Sequence, residues 1–180
     1  MVVAAQLEYM QGMLTKYSPF DWQRLVPLAI LGASVGALAV AYSAEVALSL
    51  ETCVLCLYQR VPYVLAGVLG LAAILVPRGR LRTAAAAAAG SAFLAGAGIA
   101  FYHVGVEQHW WASAASCGGD LSQGLNVQHL QQQLLEKPPK ACDEVDWMLF
   151  GVSMATYNVA ASLILAVASL WGASRLRETT

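Results

Sequence analysis

Four long apolar stretches run through the chain, at about 25–48, 56–76, 83–104 and 148–171. Each can cross a hydrocarbon core of about 30 Å, which takes about 20 helical residues. In lipid the backbone must satisfy its hydrogen bonds within the segment, so these stretches are expected as helices. The predicted fold is all-α: an integral membrane four-helix bundle, one domain over 1–180, with loops at about 49–55 and 105–147. At 58% hydrophobic residues the composition exceeds the roughly 45–50% of soluble domains, and 180 residues leave no chain for a second domain. A net charge of −1 gives no support for a nucleic-acid partner, and the expected surroundings are membrane lipid. Lys16 and Arg24 precede an apolar stretch longer than a signal-peptide core, so the first stretch is read as an uncleaved span.

Basic residues set the orientation, because cytoplasmic loops carry the Lys and Arg excess. Lys16 and Arg24 precede span one, Arg78, Arg80 and Arg82 crowd the link between spans two and three, and Arg175 and Arg177 follow span four. The opposite loops hold Glu51, Glu107, Asp120, Glu136, Asp143, Glu144 and Asp146, with only Lys137 and Lys140 as basic residues. Both termini are therefore expected in the cytoplasm. Leu7, Met10, Leu14 and Tyr17 predict a short amphipathic helix on that interface. The run Ala84–Ala89 with Gly90, Gly96 and Gly98, and Gly32 with Gly36, read as close-packing faces. Trp110, Trp111, Trp147 and Trp171 read as interfacial anchors.

This topology puts all four cysteines, Cys53, Cys56, Cys117 and Cys142, on the non-cytoplasmic side. Disulfides persist in oxidising compartments such as a bacterial periplasm. Four cysteines allow three pairings. The three-residue spacing of Cys53 and Cys56 at a helix start selects that pair and leaves Cys117 with Cys142. With Thr52 as the expected N-cap, Cys53 falls in the first turn and Cys56 about one turn in, where the helix dipole and open amides favour thiolate. Arg60 lies four residues beyond Cys56, on the same helix face and slightly deeper. An arginine inside a span is costly and is a functional candidate by default; the alternative is a side chain snorkelling to the interface.

Cys142 lies five residues before Trp147, a tether of at most about 17 Å, so it must stay near the membrane. Cys117 sits in Ser116-Cys117-Gly118-Gly119-Asp120, where glycines leave room for another backbone. Cys117 is thus the expected receiver of an incoming protein thiol, with Cys142 relaying to Cys53/Cys56. Between them Val127, Leu130 and Leu134, with Gln128 and Gln131–Gln133, make a narrow amphipathic stripe ended by Pro138 and Pro139.

At Cys53-Val54-Leu55-Cys56-Leu57-Tyr58-Gln59-Arg60 the chain resembles the disulfide-bond-formation protein B (DsbB) family, and the likeness spans nearly the whole chain. Tyr102–Gln108, which contains His103, and Gly151–Asn158 also look like proteobacterial members. Thr52 departs from the proline often found before the first cysteine. The resemblance implies a protein-dithiol:quinone oxidoreductase of the bacterial inner membrane, with its redox cysteines periplasmic. It implies that a reduced periplasmic DsbA-like partner attacks Cys117, that Cys142 then attacks Cys53, and that the freed Cys56 thiolate forms a charge-transfer complex with a ubiquinone (or menaquinone) beside Arg60. Electrons would pass into the quinone pool. His103 matches a family histidine near the quinone and could hydrogen-bond a quinone oxygen or supply a proton, or could instead be satisfied by a backbone carbonyl.

Two other readings compete. A vitamin K epoxide reductase-like enzyme is also a small helical quinone-thiol protein, but its C-x-x-C is expected near the end of a late span. A non-catalytic membrane protein could hold zinc through its cysteines and histidines. The expectation here is that no metal is used.

Overall fold

The computed structural model describes residues 21–49, 52–111, 141–143, 145 and 147–178. Cys117, the predicted interfacial helix before span one and the amphipathic stripe before Pro138 lie outside the described residues. Four helices carry the fold: α1 (Trp22–Leu48), α2 (Val54–Leu75), α3 (Arg80–Glu107) and α4 (Met154–Glu178). All four are long and apolar enough to cross a membrane. Between α3 and α4 lies one small hairpin, β1 (Met148–Leu149) and β2 (Val152–Ser153), paired antiparallel with Met148 opposite Ser153.

The packing is that of helices in lipid. Large aliphatic side chains such as Val46, Leu75, Ile164 and Val167 point outward, while Ala66, Ala73, Ala86, Ala89 and Ala100 fill the interior. Hydrophobic burial gives little drive between helices already in lipid, so association rests on close backbone approach and internal polar contacts. Gly70 lies against α1: a Cβ there would stand 3.0 Å from both Ile30 Cγ2 and the Leu31 backbone nitrogen. Gly90 meets Leu170 and Gly172 meets Val26, where a Cβ would come within 2.8 and 2.9 Å of the facing side chains. Gly32, Gly36 and Gly98, expected on packing faces, have nothing within 4 Å of a Cβ and do not act as close-contact points.

One end of the bundle is tied by a buried arginine. Arg82 donates to the carbonyls of Val76 (2.7 Å) and Ile74 (3.4 Å) at the end of α2, and to Gln23 O (2.8 Å) at the start of α1. A cation placed on the last carbonyls of a helix complements their negative dipole end. Gln23 in turn donates to Leu176 O, 3.3 Å away in α4. The start of α3 and the end of α4 therefore share this end with Arg24, Arg78, Arg80, Arg175 and Arg177. Cys53, Cys56 and Cys142 lie at the other end.

The last helix starts at Met154 rather than near 148 and runs on to Glu178, past 171. Phe150 (φ 52°) and Gly151 (φ 78°) form a tight turn with positive φ at both central residues, the geometry that folds two strands back on each other. Residues 148–153 are thereby spent on a hairpin above the span.

Because a branched side chain at Gly70 would meet α1 backbone, Gly70→Val is expected to lower stability by about 1–3 kcal/mol. Gly98→Ala, with open space before it, should leave stability unchanged or raise it slightly. Thermal unfolding in detergent, comparing the two variants with the parent, reads this directly.

Candidate active site

The site begins with the local structure at the N-terminus of α2. Thr52 was the expected N-cap; Cys53 occupies that position instead, with extended backbone (φ −75°, ψ 163°). Its sulfur accepts a hydrogen bond from the Cys56 backbone N–H at 3.2 Å, taking the part that a serine or threonine oxygen usually plays. That bond sets the spacing of the pair: the two sulfurs lie 2.7 Å apart, in hydrogen-bonding contact. Cys53 is 5% exposed, and Cys56 is half-buried. The contact with Cys56, followed by burial, pushes the Cys53 thiol up from 9.0 to about 12, so in the reduced pair Cys53 keeps its proton near neutral pH.

Cys142, 1% exposed, is buried in the same apolar cluster as Cys53, Leu55 and Val106. A described cysteine from the long loop thus sits beside the helix-start pair, as its short tether to α4 requires. Its predicted partner Cys117 lies outside the described residues.

Beside Cys56 opens a cavity of about 410 Å³ between α1, α2 and α4, roofed by α3 and by residues from the loop before α4. Small residues on α1, Gly36, Ala37, Ala41 and Ala44, alternate there with Leu38, Val40 and Glu45 and help leave the volume unfilled. Cys53, Cys56, Arg60, His103 and Asn158 supply polar atoms. Arg60, its side chain 13% exposed, pairs with Glu45 Oε2 at 2.7 Å and lies 4.4 Å from the Tyr42 ring centroid. Its charge is thus committed first to Glu45, rather than directly to the cysteines.

His103 stands at the back of the cysteine pair, with Nε2 3.7 Å from Cys53 Sγ. Its Nδ1 meets Gln59 Nε2 at 2.6 Å, and the ring also has a hydrogen-bond contact with the Cys142 backbone. Gln59 Oε1 accepts from Asn158 Nδ2, and Asn158 Oδ1 accepts from the Tyr63 hydroxyl at 2.6 Å. Ser162 closes the chain 2.9 Å from the Tyr63 oxygen. Glu107, one helical turn from His103, places Oε1 3.9 Å from Nε2 and accepts from Ser153 Oγ at 2.5 Å. Among the described residues Cys53, Cys56 and His103 also form a possible metal-ligand group, their ligand atoms all within 4.8 Å of one another.

Gln59, Asn158, Tyr63, Glu45 and Glu107 were not singled out from the sequence as site residues. Glu45 carried a usable signal, since a carboxylate within an apolar span needs a partner and Arg60 lies at the same end of the next span. Glu107 was counted for loop charge and within the family-like segment Tyr102–Gln108, without a role of its own. Asn158 is joined to Gln59 only by the packing of α4 on α2, which no local pattern encodes.

With that geometry in hand, comparisons with known proteins bear on what the site belongs to. The family model described as Disulfide bond formation protein DsbB matches residues 23–172. A protein called Disulfide bond formation protein B from Dechloromonas aromatica is 30% identical over 135 residues, covering 69% of this chain and 76% of that one. Its namesake from Acinetobacter baumannii is 29% identical over 153 residues, covering 82% and 89%. The uncharacterized protein RP370 of Rickettsia prowazekii is 27% identical over 158 residues, covering 87% and 91%. The match takes in all of α2 and α3, with both helix-start cysteines, Arg60 and His103, and the chain is a membrane protein of the DsbB disulfide-bond-formation family.

Proposed function

We propose that the protein is a quinone-linked thiol oxidase: it takes electrons from a reduced DsbA-like dithiol protein outside the cytoplasmic membrane and passes them to a membrane quinone. The observation that carries this reading is the cysteine pair at the start of α2, its sulfurs in contact, with buried Cys142 on one side and a cavity reaching Arg60 on the other.

The electron balance follows from disulfide exchange. In the resting protein Cys53–Cys56 and Cys117–Cys142 are disulfides. A partner thiolate attacks Cys117, breaking its bond to Cys142 and making a mixed disulfide. The released Cys142 thiolate attacks Cys53, and Cys56 leaves as thiolate from a position where open amides at the helix start favour negative charge. The partner's second thiol then resolves the mixed disulfide, and Cys117 returns to Cys142, releasing Cys53. The partner ends as a disulfide and Cys53/Cys56 as the reduced pair, two electrons and two protons richer.

A quinone, when bound, supplies the two-electron, two-proton acceptor that restores the Cys53–Cys56 disulfide. The cavity supports this: its volume falls in the range of small-molecule sites, about 300–1,000 Å³, and its surface is mostly apolar with Cys56, Arg60 and His103 among its polar lining residues. Cys56 and Arg60 would hold the ring from α2, and His103 from α3. A guanidinium has five N–H donors, so its contacts with Glu45 and Tyr42 leave donors for an oxygen in the cavity. Glu45 fixes where that charge sits. The zinc-protein reading uses the same thiols, and it is separated by turnover.

Purified protein is expected to oxidise a reduced periplasmic dithiol protein only when quinone is present; absence of turnover, with stoichiometric zinc and reduced thiols, would favour the metal-protein reading. Arg60→Ala should raise the apparent KM for a soluble quinone roughly tenfold or more, matching the ~1.5–3 kcal/mol of a hydrogen bond to a charged group; an unchanged KM would remove Arg60 from the site. In the reduced protein, alkylation followed by peptide mass spectrometry should label Cys56 ahead of Cys53. Cys53 labelling should stay slow from pH 6 to 9, about three or more units below its own titration. Rapid labelling of Cys53 at pH 7 would contradict the assignment of the proton to it.

A further inference from the structure

The hydrogen-bond chain behind the cysteines has a direction as well as a path. The Tyr63 hydroxyl donates to Asn158 Oδ1 at 2.6 Å, and Ser162, 2.9 Å away, donates to the Tyr63 oxygen. A carbonyl oxygen only accepts, so Asn158 turns its amide nitrogen toward Gln59 and donates to Oε1. Gln59 is then left to present its own nitrogen to His103 Nδ1, at 2.6 Å. An amide nitrogen only donates, so Nδ1 must hold a lone pair, and the ring proton sits on Nε2, 3.7 Å from Cys53 Sγ.

We propose that Gln59 and Asn158 are positioning residues that lock His103 in its Nε2–H tautomer, so that the ring donates toward the Cys53 sulfur and is closed as third ligand to the soft divalent metal ion that Cys53, Cys56 and His103 would otherwise hold. Two thiolates and an imidazole make a ligand set suited to Zn²⁺, and here the three ligand atoms lie within 4.8 Å of one another. A metal-bound histidine turns a bare nitrogen to the ion and donates its other N–H to an acceptor. Here both requirements are reversed: the nitrogen facing the sulfurs bears the proton, and the far nitrogen faces a donor. Turning Gln59 alone would set its nitrogen against that of Asn158, so the chain reverses as a unit or stays as it is.

The tautomer rests on the way the Gln59 and Asn158 amides face, independently of any activity. Its use, in keeping a thiol pair available for exchange, rests on the thiol-oxidase reading, and a zinc titration needs no turnover, so the two can fail separately. The parent for the test carries Cys117→Ser and Cys142→Ser, leaving Cys53 and Cys56 as its thiols, and is kept reduced while Zn²⁺ affinity is measured by competition with a chromogenic chelator. Gln59→Glu replaces the donor to Nδ1 by an acceptor while still accepting from Asn158. Asn158→Asp acts one link further back: an aspartate cannot donate to Gln59, which must turn and offer its oxygen to Nδ1. Both variants are expected to bind Zn²⁺ about 10–100-fold more tightly than the parent, the usual effect of an acceptor behind a ligating histidine. Adding His103→Gln to Gln59→Glu should abolish the gain. The ¹⁵N spectrum of the ring tests the parent without any change to the chain of hydrogen bonds and should show a neutral Nε2–H imidazole. Equal zinc affinities in folded parent and variants, or an Nδ1–H ring in the parent, would overturn the proposal.

Discussion

A polar side chain buried between helices in lipid needs a partner, and around the cysteine pair that requirement is met by a chain of contacts: Ser162 and Asn158 on α4, Tyr63 and Gln59 on α2, His103 on α3, ending at Cys53. An unsatisfied amide in an apolar interior costs several kcal/mol, so each link fixes the rotation of the helix that carries it. The alanine and glycine faces allow the helices to approach, but a surface of small side chains discriminates poorly between rotations about the helix axis. The polar chain supplies that discrimination and, by the same contacts, puts His103 behind the cysteine pair. Fold and site are set by the same hydrogen bonds.

The cysteine pair is made asymmetric by backbone geometry rather than by a neighbouring charge. Cys53 caps the helix that Cys56 belongs to, so the two sulfurs differ in burial, in hydrogen bonding and in the face they turn to the surroundings. Cys53 is buried in the apolar cluster with Cys142, while the more exposed Cys56 packs on that cluster's edge; both line the cavity shared with Arg60. That arrangement suits a relay in which one sulfur meets a protein disulfide and the other a small acceptor. It also explains why Arg60 need not touch sulfur: its ion pair with Glu45 holds the charge in the cavity wall.

Much of this was legible in the sequence. The spans could be read because apolar runs in a membrane chain report helices without reference to tertiary structure, and the placement of Cys53, Cys56 and Arg60 along one cavity because their spacing lies within one helix. Where sequence reasoning went astray, the deciding contact was a local detail or a distant one. Thr52 has the usual capping chemistry, yet the bond from Cys56 N to sulfur moved the cap one residue on. The run beginning at 148 reads as span until Phe150 and Gly151 turn it back. Gln59 and Asn158 are polar residues of ordinary kind whose roles exist only once α2 and α4 are packed. Glycine spacing alone did not tell Gly90, which meets Leu170, from Gly98, which meets open space.

The account depends on Cys142 handing its disulfide to Cys53 rather than to Cys56. With Cys56 and Cys117 both changed to serine, only Cys53 and Cys142 remain as thiols, and mild oxidation of the membrane-embedded protein followed by non-reducing peptide mapping reads whether they join. The account predicts an intramolecular Cys53–Cys142 disulfide that forms readily, and far more slowly between Cys56 and Cys142 when Cys53 and Cys117 are the serines. A Cys56–Cys142 bond forming as fast or faster would contradict it.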